Sequence, residues 1–570
     1  MKKLYPILAG IIIMITYLVA FPNLLRAIEY DTLFLWTKEF AFDKLNHPQG
    51  ITNWLAAYLQ QFYYIPAGGA LILGTLAAWT GVLLATLIAR MGSKHFWAAV
   101  ALPVLLATSC NGYPGELIQS VCFWSFFMLY TLTPHLRIPY TAFLLLIGYA
   151  LFPWPRLIAW FMIAAIWELA VRHSRKASLI PLTGLLVSCF TPTLWSSFIA
   201  FIPFDQRYGD YEAYFFTFAY YLLPIGIVYV LRFAIITWKM TIINFVLSLI
   251  IIGWGCYTTL SNQDNIRTEK IRTLAFLADE AKWDEIKMQI DYNEGTQPIL
   301  LRYALLAESQ LGTLPEHLFM YPVQSTKDFL FTHDTQKYGL NFNRQFYASL
   351  GIYDEAFHQA FEYGTKCVDG HSLGSLRQMI TYALATGDTA VAKKYMYLMS
   401  RTTLHGTWLK EQEERLRTLR TQGTEPVVLR SQIFIGAMPF LSEMARIFEE
   451  DNSNKRVLDY ILCGLLMERN LDKLELFLKA SQAYVHEPLP KSYAEAIAML
   501  ATHDSTFKTM YNYPPTLDQA FSAFMQHLQN QSALPSTGST SDYWYYFFIA
   551  PRPSNDRPSD GEEMSSTQFS

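Results

Sequence analysis

Three acidic stretches carry residue types and spacings that could do chemistry. The first is AIEYDTLFLWTKEF (27–40), where Glu29 and Asp31 flank one residue just after the first long apolar run. Two carboxylates at such a place can divide acid–base work. One, with a raised pKa, takes a hydroxyl proton while the other holds a divalent cation. The same pair also suits a solvated helix end, where acidic side chains cap and charge an N-terminus. The second stretch is SCNGYPGEL, which carries Glu116. The third is FDQRYGDYEAYF, where Asp205, Asp210 and Glu212 surround Arg207, a guanidinium suited to a bidentate grip on phosphate. His47, beside Pro48 in HPQG (47–50), reads as a turn residue or a substrate ligand. No metal-ligand set is assigned.

The elements that must position these residues are mostly apolar. The chain has 570 residues, 52% hydrophobic and 16% charged, which points to a polytopic membrane protein. A net charge of −3, with no Gly-rich phosphate loop and no basic aromatic platform, argues against nucleic acid as a partner. The six cysteines stand singly and form no CxxC, which argues against a zinc or thioredoxin-type site. Cys367 and Cys463 are expected as two buried thiols, with pairing in an oxidising compartment as the alternative.

Crossing a bilayer takes about 20 apolar residues. Nine segments approach this, near 4–22, 66–89, 95–110, 117–133, 139–153, 156–171, 178–201, 214–231 and 239–260. Every second loop is basic: Lys2 and Lys3, then Arg90 and Lys94, Arg137, Arg172 with Arg175 and Lys176, and Arg232 with Lys239. The positive-inside rule then puts the N-terminus in the cytoplasm and everything after residue 260 outside the inner membrane, in the periplasm. The loop 23–65 holds two amphipathic stretches expected to lie in the membrane interface.

After residue 265 the periodicity is that of paired amphipathic helices. A turn pattern recurs in AKWDEI (281–286), GTLPEH (312–317), GIYDEA (351–356), GDTAVA (387–392) and, more loosely, RNLDKL (469–474). The spacing of the first four brackets the period of about 34 residues of tetratricopeptide repeats, which this region resembles. Stacked repeats offer a concave surface for a protein partner; a plain helical bundle is the alternative. SALPSTGSTSD reads as a linker. YWYYFFIAP (543–551) is too short to span a bilayer, and is expected to dock as a strand or to lie against helices or lipid headgroups. The remaining tail reads as disordered.

The opening 90 residues resemble the membrane glycosyltransferases of the GT-C superfamily. The shared features are one span, a long external loop, an acidic motif of two carboxylates flanking one residue, and HPQGITNWLAAYL ahead of the second span. The resemblance implies a lipid-linked sugar donor, with Asp31 as the general base and Glu29 as its partner. It also implies substrate-binding roles for Arg207, Glu116 and His47, and a divalent metal as the cofactor of a transferase. The second external loop lacks the DxD of oligosaccharyltransferases. The chain as a whole resembles an uncharacterised family of polytopic membrane proteins of Gram-negative bacteria, which implies no activity.

The expected fold class is all-α: a polytopic helical membrane domain of about nine spans (1–260), an extracytoplasmic tetratricopeptide-like helical domain (265–530), and a linker, aromatic segment and tail (531–570). The expected function is a transferase of the GT-C kind in the inner membrane, with membrane lipid and a lipid-linked sugar as partners. The alternative is a non-catalytic scaffold whose repeats bind envelope proteins.

Overall fold

Proline and glycine punctuate long apolar runs, and the helices of the computed structural model begin and end where they fall. The structure describes residues 3–200, 202, 207–208, 211–231, 240–291, 297–331, 336–422, 439–485, 487–529 and 542–551. Among the described residues the protein is all-α, with no strand. It divides into two compact units: Met1–Glu269 with Tyr397–Leu409, and Lys270–Met396 with Lys410–Ser570.

Unit 1 opens with α1 (Leu4–Ala20) and α2 (Pro22–Asp31), bent by 84°. Pro22 has no amide hydrogen to continue α1 but suits the first position of a new helix. Then come α3 (Lys38–Asn46), α4 (Gly50–Gln60), α5 (Gly68–Arg90), α6 (Ala98–Ser109), α7 (Gly115–Leu132), α8 (Arg137–Leu151), α9 (Trp154–Ala170), α10 (Arg175–Ser188) and α11 (Thr191–Phe198). Two further helical stretches, Tyr211–Leu231 and Met240–Ser261, complete its bundle; the first carries a π-turn at Phe218–Leu222. The helices α1 and α5 meet through small residues. A Cβ on Gly10 would lie 2.5 Å from the Gly74 carbonyl oxygen, and one on Gly74 2.6 Å from that of Gly10. Small residues at such a crossing let backbones approach and gain dispersion contacts where no hydrophobic drive exists.

All nine apolar segments expected from sequence lie on helices, but the number of spans is smaller by length. Gly68–Arg90, Tyr214–Leu231 and Met240–Ser261 are long and apolar enough to cross a membrane, and up to six crossings result if each of three bent pairs is one span. The shortfall is geometric: α6 has 12 residues and α8 has 15, against the roughly 20 that a straight crossing needs. Large apolar side chains nevertheless point outward on many faces, among them Val19, Leu146, Leu186, Val230 and Ile250. Surfaces of that kind are rare where a protein faces water.

Polar groups gather at the two ends of this bundle. At one end Arg90 Nη1 and Arg172 Nη2 donate to Thr131, at its hydroxyl (3.3 Å) and its carbonyl (2.5 Å). Arg137 grips the buried Glu168 with two hydrogen bonds of 2.9 and 2.8 Å, and the Lys94 carbonyl accepts from Asn244. At the other end lie α2 to α4 and the turns before α7 and α9. Tyr63 donates to the Gly112 carbonyl, Trp195 to that of Asn46 and Tyr149 to that of Arg207.

Unit 2 is built of helices joined by tight turns. All five turn signals read from the sequence start at a residue with positive φ: Ala281 (54°), Gly312 (73°), Gly351 (82°), Gly387 (74°) and Arg469 (54°). A left-handed residue just past a helix satisfies its last carbonyls and turns the chain back. Cys367 and Cys463 are buried free thiols, in line with the first expectation. The aromatic segment forms a helix, Tyr543–Phe548, rather than a strand; three of its residues, Tyr543, Trp544 and Tyr546, are buried against this unit. Of the acidic stretch around Arg207, Asp205 and Asp210 lie outside the described residues.

Candidate functional site

Glu29 and Asp31 both ride on α2, so their two-residue spacing sends them to different faces of one helix. Glu29 is buried and Asp31 half-buried. The helix is only ten residues long and is held near both ends by distant parts of unit 1. Its N-terminus has no side-chain cap of its own. The Glu269 carboxylate supplies one, accepting from the amides of Asn23 (2.7 Å) and Leu24 (2.8 Å). An anion there meets both the unpaired amides and the positive end of the helix dipole. Near the C-terminus the dipole works against a carboxylate, so a buried Glu29 needs a polar partner. His405 provides it: its Nε2 lies 2.9 Å from Glu29 Oε1, with both side chains almost wholly covered. The approach is off-axis and falls short of a well-formed hydrogen bond.

His405 reaches this position because Tyr397–Leu409 belongs to unit 1 although unit 2 claims the chain on either side. The Arg401 carbonyl accepts from the Trp36 amide at 2.9 Å, and the Thr403 hydroxyl from the Trp36 indole at 3.0 Å. The Thr403 amide donates to Gln61, and Tyr64 packs edge-on against the His405 ring at 4.8 Å. Trp36 also meets Phe34, Trp54 and Tyr58 in an aromatic cluster. Capping of α3, the next helix, falls to Thr37, whose hydroxyl accepts from the Phe40 amide. That corrects the expectation that Glu29 and Asp31 charge the start of that helix; they end α2 instead. His47 is exposed, and its backbone closes the turn before α4.

The second polar centre is built on Arg156. Sequence reading begins an apolar span at this residue and assigns it no role. The Pro153–Pro155 turn starts α9 at Trp154, two residues before Arg156, and the guanidinium lies inside. Arg156 is 3% exposed. It donates to Glu116 at 2.5 Å and closely to the Gln119 carbonyl, and lies over the Tyr221 ring at 5.4 Å. Gln119 in turn donates to Gln49 at 2.9 Å, which fixes the turn between α3 and α4. Glu116 is thus bound to Arg156, not to Arg207. Arg207 donates instead to the Ile202 carbonyl at 2.7 Å.

Of the expected site residues, Glu29 and Glu116 are each taken up by a buried side chain, His405 and Arg156. Sequence reasoning missed His405, Glu269 and Arg156. A lone arginine heading an apolar run, WPRLIAW, was a legible signal for the last. Nothing in RTTLHGTW marks His405, since its partner lies in a different part of the chain. Among the described residues no three His, Cys, Asp or Glu side chains converge as a metal-binding group.

The chain belongs to the family of unknown function DUF6057, whose model matches residues 1–550. No curated protein and no solved structure is detectably similar to it.

Proposed function

We propose that this protein is a multi-pass platform of the inner membrane, in which unit 1 is a packed support and unit 2 presents a helical surface to envelope proteins on the periplasmic side. The observation that carries this reading is the Glu29–His405 contact. The partner carboxylate of the expected acidic pair is buried and spent on fastening residues 397–409 to α2. The Arg156–Glu116–Gln119–Gln49 chain works the same way, tying α9, α7 and the start of α4 into one filled end. Buried charges that satisfy one another rigidify a fold, and removal of either partner strands the other.

The topology we favour keeps a cytoplasmic N-terminus and nine crossings, with the short helices α6 and α8 crossing where the bilayer thins around them. It is supported by the meeting of Arg90, Arg137 and Arg172, from three alternate loops, at one end of the bundle. The turns of unit 2 support paired helices of the tetratricopeptide-like kind, whose surface suits a protein partner.

A second reading keeps one observation in its favour. Asp31 is half-buried, and hence within reach of solvent. A transferase of the GT-C kind would use Asp31 alone as general base toward an acceptor hydroxyl, with Glu29 holding α2 in place. The two readings separate in a deletion strain complemented with Asp31→Asn, with envelope glycans profiled at matched membrane levels. The platform reading expects the wild-type profile. A glycan defect that Asp31→Asn fails to correct, but wild type corrects, overturns it in favour of the transferase.

A further inference from the structure

The C-terminal aromatic helix sits in unit 2 as a ligand sits in a groove. Six residues make no stable helix alone, so its shape is imposed by what it touches. Its first amide, that of Tyr543, donates to the Glu495 carboxylate at 2.8 Å. The Trp544 indole donates to the Glu495 carbonyl at 2.9 Å, and the Tyr546 hydroxyl to the Met467 carbonyl at 2.9 Å. The Arg469 guanidinium lies 4.5 Å over the Tyr546 ring and donates to the Ala550 carbonyl at 3.0 Å. Phe319 packs on Tyr543 and Tyr546, and Phe521 on Trp544. At the rim Lys491 pairs with Asp542. Aromatic anchors in the middle, a charge pair at the rim and capped backbone ends are the marks of helix-in-groove recognition.

One observation sets the segment apart from the helices before it: it follows a stretch with linker composition, SALPSTGSTSD. The Tyr543 hydroxyl is fully buried and has no hydrogen-bond partner, as is also true of Tyr460 in the same unit. A buried hydroxyl without a partner weakens binding relative to a bare ring.

We propose that this groove is a peptide-recognition site held closed in cis by residues 542–551. Its ligand in trans is a short helical segment of a partner protein: an acidic residue, then aromatic residues one, two and four positions later. The proposal rests on the platform reading and names the partner chemistry that reading lacks.

The test uses the full chain with a specific protease site placed in residues 530–541, and a labelled peptide of residues 541–552 as probe. Before cutting, the tethered segment competes at an effective concentration of about millimolar, so the probe binds poorly. After cutting, the probe exchanges in and saturates. A Tyr543→Phe probe binds about tenfold tighter, since it buries no orphan hydroxyl. A Trp544→Ala probe loses about a hundredfold. Three results overturn the proposal: the cut segment leaves and no probe binds; the cut segment stays and does not exchange; or cutting unfolds unit 2, read by the loss of its cooperative melting. A dimer of the uncut chain, formed by mutual exchange of the tethered segments, also overturns it. None of these outcomes bears on the Asp31→Asn result, so the two readings fail separately.

Discussion

Glu29→Gln keeps the shape of the side chain and removes its charge, which isolates what the His405 contact contributes. The two groups are 2.9 Å apart and almost wholly covered, and loss of one partner from a buried pair typically costs about 3–5 kcal/mol. Glu29→Gln and His405→Gln should therefore each lower the unfolding free energy of unit 1 by about 3 kcal/mol. The double variant should lose less than the two together, with a coupling of about 2 kcal/mol. Unfolding of the detergent-solubilised chain, followed by denaturant titration, measures the cycle. Protease cutting within 397–409 should rise in both single variants, because that segment loses its anchor to α2. Additive single effects, or a loss under about 0.5 kcal/mol in Glu29→Gln, would refute the assignment of Glu29 to fastening.

Three further outcomes follow from the same geometry. Ala281→Gly should stabilise unit 2 by about 0.5–1 kcal/mol, since Ala281 holds φ at 54°, whereas Gly351→Ala should destabilise it by about 1 kcal/mol at φ 82°; chemical denaturation reads both, and equal effects would sink the argument. Gly74→Leu should weaken the α1–α5 crossing by several kcal/mol, because the new Cβ meets the Gly10 carbonyl rather than a movable side chain; unaltered detergent stability would show that the crossing is loose. The third concerns pH. Burial pushes the Glu443 and Glu495 carboxyls up to about 7 and Asp459 to about 6. A folded pKa above the unfolded one gives stability that is complete below the unfolded pKa and lost as pH rises through the folded one. Unit 2 should accordingly lose stability between about pH 4.5 and 7, by on the order of 3 kcal/mol for each glutamate. Glu308 works in the opposite sense. Its carboxyl is held low against burial by hydrogen bonds from Thr313, His317 and Lys287. Glu443→Gln should flatten the melting temperature against pH above pH 5, and a slope as steep as wild type would count against the burial argument.

Local structure was legible in the sequence wherever a residue acts on its own neighbours. Pro22 and the Pro153–Pro155 turn fixed helix starts because proline lacks an amide and presets φ. The five turn signals of unit 2 fell on left-handed residues because a short helix hairpin needs one. Apolar runs marked helices for the same reason, but not how many of them are long enough to cross a bilayer, since the angles of the bends at Phe21, Thr133 and Phe190, 84°, 106° and 50°, cannot be read from the runs themselves. Side-chain partnership needed the tertiary structure. The spacing of Glu29 and Asp31 suggests a pair, yet on a helix two residues apart is two faces, and a histidine from the far part of the chain took the buried one. Arg156 was visible as a lone charge but not as the partner of Glu116, because α7 and α9 meet only after folding. Sequence alone determined the helices and their turns, which depend on contacts within a few residues; only the fold decided which charges neutralise each other, because a buried charge is stabilised by whatever three-dimensional packing brings to it.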